Sequence, residues 1–231
     1  MSCAFQARRK NPLGSGTHEA QCELNDIGGF LLTGYVLADY ATELGAPMTR
    51  QQALDRFTGK RINDVWSAVQ QIAQRPLLGF PEELQRRTLA VFNSQLREVT
   101  GVTKFLEDHS HFRRCIASSS APERIRFSLS LLKLEGYFGD NVFSANEVAR
   151  GKPFPDVFLY AAQKMRVDPS RIVVIEDSPG GVQAASAAGM MIIGLLAADH
   201  IGPDHGTKLR AAGANWIASS YDEIATILAG M

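Results

Sequence analysis

The chain has 231 residues, enough for a full α/β core and a smaller second lobe. Lys plus Arg and Asp plus Glu number 24 each, so the formal charge is zero and no general field gathers nucleic acid or an anionic membrane surface. Three cysteines, Cys3, Cys22 and Cys115, are odd in number and lack metal-type spacing, which fits a reducing, cytoplasmic setting, and no apolar run approaches membrane-spanning length.

Residues 1–20 are rich in Gly, Ser and Asn and carry Arg8, Arg9 and Lys10. Without an amphipathic pattern they are expected to be a tail of no fixed structure rather than a transit peptide. Tyr35–Leu44 has apolar residues at helical spacing (Val36, Leu37, Tyr40, Leu44), and Gly45-Ala46-Pro47 stops it. Ala53, Leu54 and Phe57 mark a second helix from Thr49. Val65, Trp66, Val69 and Ile72 mark a third over Ile62–Ile72, and Pro81–Val99 gives the longest. Residues 35–110 therefore form a helical lobe.

From Arg113 short β-rich runs alternate with helices. Arg114–Ala117 is a strand, and Ser120 with Glu123 has the capping-box spacing that opens a helix through Leu134. Asn141–Ala145 is a strand, Pro155–Met165 a helix, and Ile172–Ile175 a strand apolar on both faces. A helix to about Gly189 follows, then strands at Met191–Leu195 and Trp216-Ile217 and a terminal helix from Tyr221. This alternation builds an α/β fold with a doubly wound parallel sheet. The core is expected over 21–34 and 111–231, with 35–110 inserted.

The central strand stops at Glu176 and Asp177, followed by Ser178 as N-cap and Pro179 at the first helical position. Two adjacent acids at the carboxyl end of a buried strand repel each other unless a cation or proton intervenes, and that end of an α/β sheet is where ligands bind. Ser118-Ser119-Ser120 follows the strand at Ile116 and makes an anion cradle with the free N–H groups of the next helix. Lys152, before Pro153-Phe154-Pro155-Asp156, supplies a fixed ammonium at another helix start.

In the order Ser, Lys, acidic pair, these residues resemble the haloacid dehalogenase-like phosphohydrolase superfamily, and within it the β-phosphoglucomutase-like sugar phosphatases with a helical cap. The resemblance covers about residues 35–231. Cys115–Ser120 looks like the second motif, with Ser118 as phosphate-binding hydroxyl. Gly151–Asp156 looks like the third, with Lys152. Ile175–Gly181 looks like the fourth, which implies Asp177, helped by Glu176, as ligands of Mg²⁺. The resemblance implies a Rossmann-like core and a cap over residues 35–110. Its chemistry is attack of a carboxylate on phosphorus, an aspartyl-phosphate, and release by water. The partner is then a small phosphate ester, with no nucleic acid or membrane, and the chain is a monomer or weak homodimer.

The first motif, Asp-x-Asp-Gly-Thr/Val, is not intact. The usual spacing puts Gln21 and Glu23 in its acidic positions. A shifted register uses Asp26-Ile27-Gly28-Gly29-Phe30-Leu31-Leu32, with Asp26 as nucleophile and Gly28 in place of the second acid. The alternatives are residues 1–30 foreign to the fold, and a phosphate- and Mg²⁺-binding protein without a nucleophile. Ser119, with Lys60 and Arg61 after Gly59 in the cap, is expected to meet the substrate. Asp199-His200 and Asp204-His205 have pairs that could bind a transition metal, but a polar loop at the site edge is the expected reading.

Overall fold

The computed structural model describes residues 2–5, 29–197 and 204–231, excluding the side chains of 2–5 and of Phe30. Among these residues the strands are β1 (Ser2–Phe5), β2 (Ile116–Ser118), β3 (Val142–Ser144), β4 (Val173–Glu176), β5 (Met191–Leu195) and β6 (Trp216–Ala218). They form one sheet in the order β3-β2-β1-β4-β5-β6. The β2/β3, β4/β5 and β5/β6 pairs are parallel, as the strand–helix alternation predicts. β1 departs from the expectation for residues 1–20, because it is an ordered strand, and from the all-parallel expectation, because it runs antiparallel to both neighbours. Its register is Ser2 opposite Ala117 and Cys3 opposite Ile175. Only tertiary pairing makes Ser-Cys-Ala-Phe a strand, since four residues carry too little pattern to be read alone.

β-Strand periodicity divides the core between two faces. Ile116, Val173, Ile175, Ile193 and Leu195 point to one cluster, and Ala117, Val174 and Ile192 to the other. The helices of the sheet region are α5 (Val102–Asp108), α6 (Pro122–Leu131), α7 (Glu135–Phe138), α8 (Asp156–Met165), α9 (Pro179–Ala187), α10 (His205–Ala212) and α11 (Tyr221–Ala229). The first cluster is closed by residues such as Phe105, Ile125, Phe138 and Ile224, the second by Phe158, Val182 and Leu209.

Preceding these are α1 (Gly29–Glu43), α2 (Arg50–Phe57), α3 (Ile62–Ala73) and α4 (Phe80–Gln95). They enclose a core of their own around Leu37, Tyr40, Phe57, Val69, Phe80 and Leu84, with Tyr40 and Phe80 stacked at 5.3 Å. The chain passes back to the sheet earlier than residue 110: Val99, Val102, Phe105 and Leu106 belong to the sheet's core. α1 also begins earlier than Tyr35, so Gly29–Leu32 of the shifted first motif is helix. α4, at 16 residues, is the longest described helix.

Candidate active site at the carboxyl edge of the sheet

β2 and β4 both run antiparallel to β1, hence parallel to each other, so Ser118 and Glu176, their last residues, emerge on one edge. The period-2 rule sends Glu176 to the Val174 face, where α8 and α9 pack. α8 is preceded by the loop that carries Lys152. Its Nζ lies 3.1 Å from Glu176 Oε2 and donates to the Ala117 carbonyl at 3.2 Å, above the Phe158 ring at 4.8 Å from its centroid. The Lys152 side chain is 3 % exposed and that of Glu176 0 %. A charge so deeply buried persists only with a partner, and each supplies the other's.

The remaining Glu176 oxygen, Oε1, accepts from the Ser178 N–H at 2.9 Å and the Ser178 hydroxyl at 2.7 Å. Ser178 is the expected N-cap of α9, its Oγ accepting from the Gly181 N–H at 3.1 Å, with Pro179 at the first helical position. Gly181 is required for this closeness, since a Cβ there would overlap the Glu176 carboxyl group. Asp177, 2 % exposed, follows on the same edge. Its carbonyl oxygen lies 2.5 Å from His205 Nε2. A carbonyl only accepts, so that nitrogen carries the hydrogen.

His205 therefore braces the β4 exit. The Asp204-His205 loop expected from sequence is the start of α10, and among the described residues no group of three or more His, Cys, Asp or Glu could hold a metal. Asp199-His200 lies outside the described residues, as do Gln21, Glu23, Asp26 and Gly28.

Ser118 is buried, and its Oγ accepts from the Ser120 N–H at 3.1 Å. Ser119 Oγ is buried without a hydrogen-bond partner among the described residues. The capping box expected at Ser120 does not form. Ala121 is the N-cap of α6, and Ser120 Oγ instead accepts from Arg124 Nη2 at 2.7 Å.

These groups floor a pocket of about 1010 Å³, counting the space at its mouth, roofed by α1–α4. Its polar floor is Ser118, Ser119, Lys152, Ser178 and Arg124; Leu37, Leu54, Phe57, Phe92 and Leu96 give it an apolar roof. Lys60 lines the pocket and is exposed. Arg61 is not among the lining residues: it pairs with Asp64 at 3.3 Å and donates to the Ala149 carbonyl at 3.1 Å, tying the helical layer to the Lys152 loop. Arg124 escapes sequence reading. Its only signal is its place four residues after Ser120, a spacing of about one helical turn. Burial pushes its guanidinium down to about 10, so it remains charged at neutral pH.

A family model described as haloacid dehalogenase-like hydrolase matches residues 9–189. The chain belongs to this family. The match reaches further toward the N-terminus than the resemblance drawn from motifs. Among solved structures, a conserved haloacid dehalogenase-like protein of unknown function from Agrobacterium tumefaciens is 30 % identical with a TM-score of 0.73, covering 88 % of this chain and 93 % of that one. A β-phosphoglucomutase assigned as putative, from Thermotoga maritima, is 26 % identical with a TM-score of 0.63, covering 87 % and 92 %. Among curated relatives, a phosphorylated carbohydrates phosphatase of Thermotoga maritima is 34 % identical over 116 residues, 49 % of this chain and 53 % of its own length. The chain thus spans about half of that relative. The haloacid dehalogenase-like fold accounts for the α/β sheet. Among the described residues no helix is long and apolar enough to cross a membrane.

Proposed function

We propose that the protein is a Mg²⁺-dependent phosphatase of a small phosphorylated metabolite, a sugar phosphate or similar ester, working through an aspartyl-phosphate. The observation that carries this reading is Lys152, buried and held by Glu176 on the strand edge that also presents the Ser118 and Ser119 hydroxyls. Two hydroxyls and an ammonium converging at a strand end suit a phosphoryl group, and the phosphatase named among the relatives supports the same chemistry.

In this reading Ser118 and Ser119 donate to the phosphoryl oxygens, and Lys152 neutralises the charge that develops on them. The nucleophile is Asp26, whose chain distance from the pocket-lining Gly29 allows a span of roughly 10 Å. Its carboxylate oxygen bonds to phosphorus as the bond to the ester oxygen breaks, and the departing alkoxide takes a proton from water, Gly28 having none to give. A second water then attacks the phosphoryl group, freeing phosphate and the Asp26 carboxylate. The hard oxygen donors suit Mg²⁺, with Asp177 as ligand and Glu176 beside it steering Lys152. When bound, the ion would add positive charge at the phosphoryl oxygens. The α1–α4 layer acts as a cap that excludes water, with Lys60 at its rim and Arg61 fastening it.

A second reading is a phosphate-binding protein without a nucleophile, favoured by β1. It holds the central position between β2 and β4, yet runs antiparallel and contains no carboxylate. The two are separated by assaying phosphate release from a hexose monophosphate with Mg²⁺ and with EDTA, alongside thermal melting in inorganic phosphate. The phosphatase reading expects Mg²⁺-dependent release that Asp26→Asn abolishes. No release, with a phosphate-induced rise in melting temperature that Ser118→Ala reduces, supports the binding protein. Neither release nor a rise refutes both.

A further inference from the structure

The pocket has a second polar pole that the reacting phosphate does not use. Arg124 and Ser128 lie four residues apart on one face of α6, Ser120 stands just before its N-cap, and all three line the pocket. Ser128 is 2 % exposed, and its hydroxyl donates to the Arg124 carbonyl at 2.9 Å, so this side of the helix is fixed. Phe92 and Leu96, on and just after α4, line the same pocket with apolar surface.

Arg124 is half-buried, and the one hydrogen bond of its guanidinium among the described residues is that from Nη2 to Ser120 Oγ. Among the described residues it forms no ion pair with a carboxylate, and burial lowers its pKa. By contrast Lys152, the other cation on the floor, is matched to Glu176. Among the described lining residues there is no Asp or Glu, while Lys60, Arg124 and Lys152 bring positive charge. A guanidinium with a planar fork of donors, partly stripped of water and given a neutral hydroxyl in place of an anion, is costly unless a ligand supplies that anion.

Connectivity separates this pole from the phosphate site. The Ser120 N–H serves Ser118 Oγ at 3.1 Å, while the Ser120 hydroxyl serves Arg124 at 2.7 Å. Arg124 stands six residues after Ser118, in the first turn of α6. We propose that Arg124 is a specificity-determining residue that receives a second anionic group, a carboxylate or phosphate, on the alcohol portion of a phosphate ester whose reacting phosphate lies at Ser118, Ser119 and Lys152. The inference rests on the phosphate site of the reading above, but not on catalysis, so binding alone tests it.

The probes are propylphosphonate, ω-carboxyalkylphosphonates with two to four methylenes, and propane-1,3-bisphosphonate, titrated calorimetrically into the full chain. At least one dianchored probe is expected to bind about ten- to a hundredfold tighter than propylphosphonate, the range of one charge-assisted contact. The carboxylate and bisphosphonate arms show which anion is preferred. Arg124→Met should erase the preference while leaving propylphosphonate affinity within twofold. Arg124→Lys, which keeps the charge and loses the fork, should retain part of it and serves if the Met variant does not fold. Tight propylphosphonate binding without any preference for a second anion overturns the proposal and leaves the phosphate site standing. Equal weakening of all probes by Arg124→Met also overturns it, assigning Arg124 to the reacting phosphate. If no phosphonate binds at all, the phosphate-site reading falls together with the proposal.

Discussion

Replacing Lys152 by methionine removes the ammonium 3.1 Å from Glu176 Oε2 while keeping an unbranched side chain against Phe158. At that distance the direct attraction is about 5 kcal/mol with an effective dielectric constant of about 20. Most of it offsets the desolvation of two groups that are 3 % and 0 % exposed, so the pair's net worth is small. Removing one partner is different, because the carboxylate stays buried and loses its countercharge, at a cost of about 3–5 kcal/mol. Glu176 Oε1 keeps both donors of Ser178, which places the expectation near the low end, at about 3 kcal/mol. The double variant Lys152→Met, Glu176→Gln removes both charges and retains an acceptor for Ser178. It should be more stable than Lys152→Met alone by about 1–2 kcal/mol, an interaction that a double-mutant cycle isolates. Urea unfolding at neutral pH, followed by circular dichroism with the m-value checked for constancy, gives the four stabilities. A loss below about 1 kcal/mol in Lys152→Met, or strict additivity in the double variant, would refute the argument that a buried pair organises this edge.

Gly181→Ala should destabilise the fold by about 2 kcal/mol despite alanine's higher helix propensity, since the new Cβ overlaps a Glu176 carboxyl group pinned by Lys152 and Ser178; thermal unfolding decides, and a stabilised variant would mean Glu176 swings aside freely. On α4, Arg86 and Arg87 hydrogen-bond Glu83 and lower the pKa of its carboxyl group from 4.5 to about 2. A depressed carboxylate stabilises the fold above its unfolded pKa, so this contribution is present above about pH 4.5 and is lost as pH falls toward about 2. Carbon-13 chemical shifts of the Glu83 carboxyl should titrate with that low midpoint, and Glu83→Gln should flatten the acid-side loss of stability over the same window; a midpoint at the ordinary value would show that the arginines do not hold it in solution.

Much of this molecule follows from local pattern. The run Ile-Val-Val-Ile ending in Glu176 and Asp177 specifies a buried strand with acids at its exit, because β-branched residues apolar on both faces fit only a covered strand. Ser178 and Pro179 specify the start of α9 by cap chemistry alone, and the helical spacing of Val65 and Val69 specifies α3. Parallel alternation then brings Ser118, Lys152 and the acidic pair to one edge by topology. Other features depend on contacts between distant segments. Ser2–Phe5 becomes a strand only because β2 and β4 offer unpaired edges on either side of it. Ser120, with good capping spacing, gives up the cap because Arg124, four residues on, claims its hydroxyl. Glu176 reads in sequence as a metal ligand beside Asp177, but burial demands a countercharge, and the loop before α8 delivers Lys152 to meet it. The pocket itself belongs to no segment: its roof shares Leu37 and Phe57 with the core of the helical layer, and its floor comes from three stretches far apart in the chain, at Ser118 to Arg124, Lys152 and Ser178. Sequence periodicity determines which faces are apolar, while the packing of one layer over the other decides which polar groups are enclosed and therefore which must find partners.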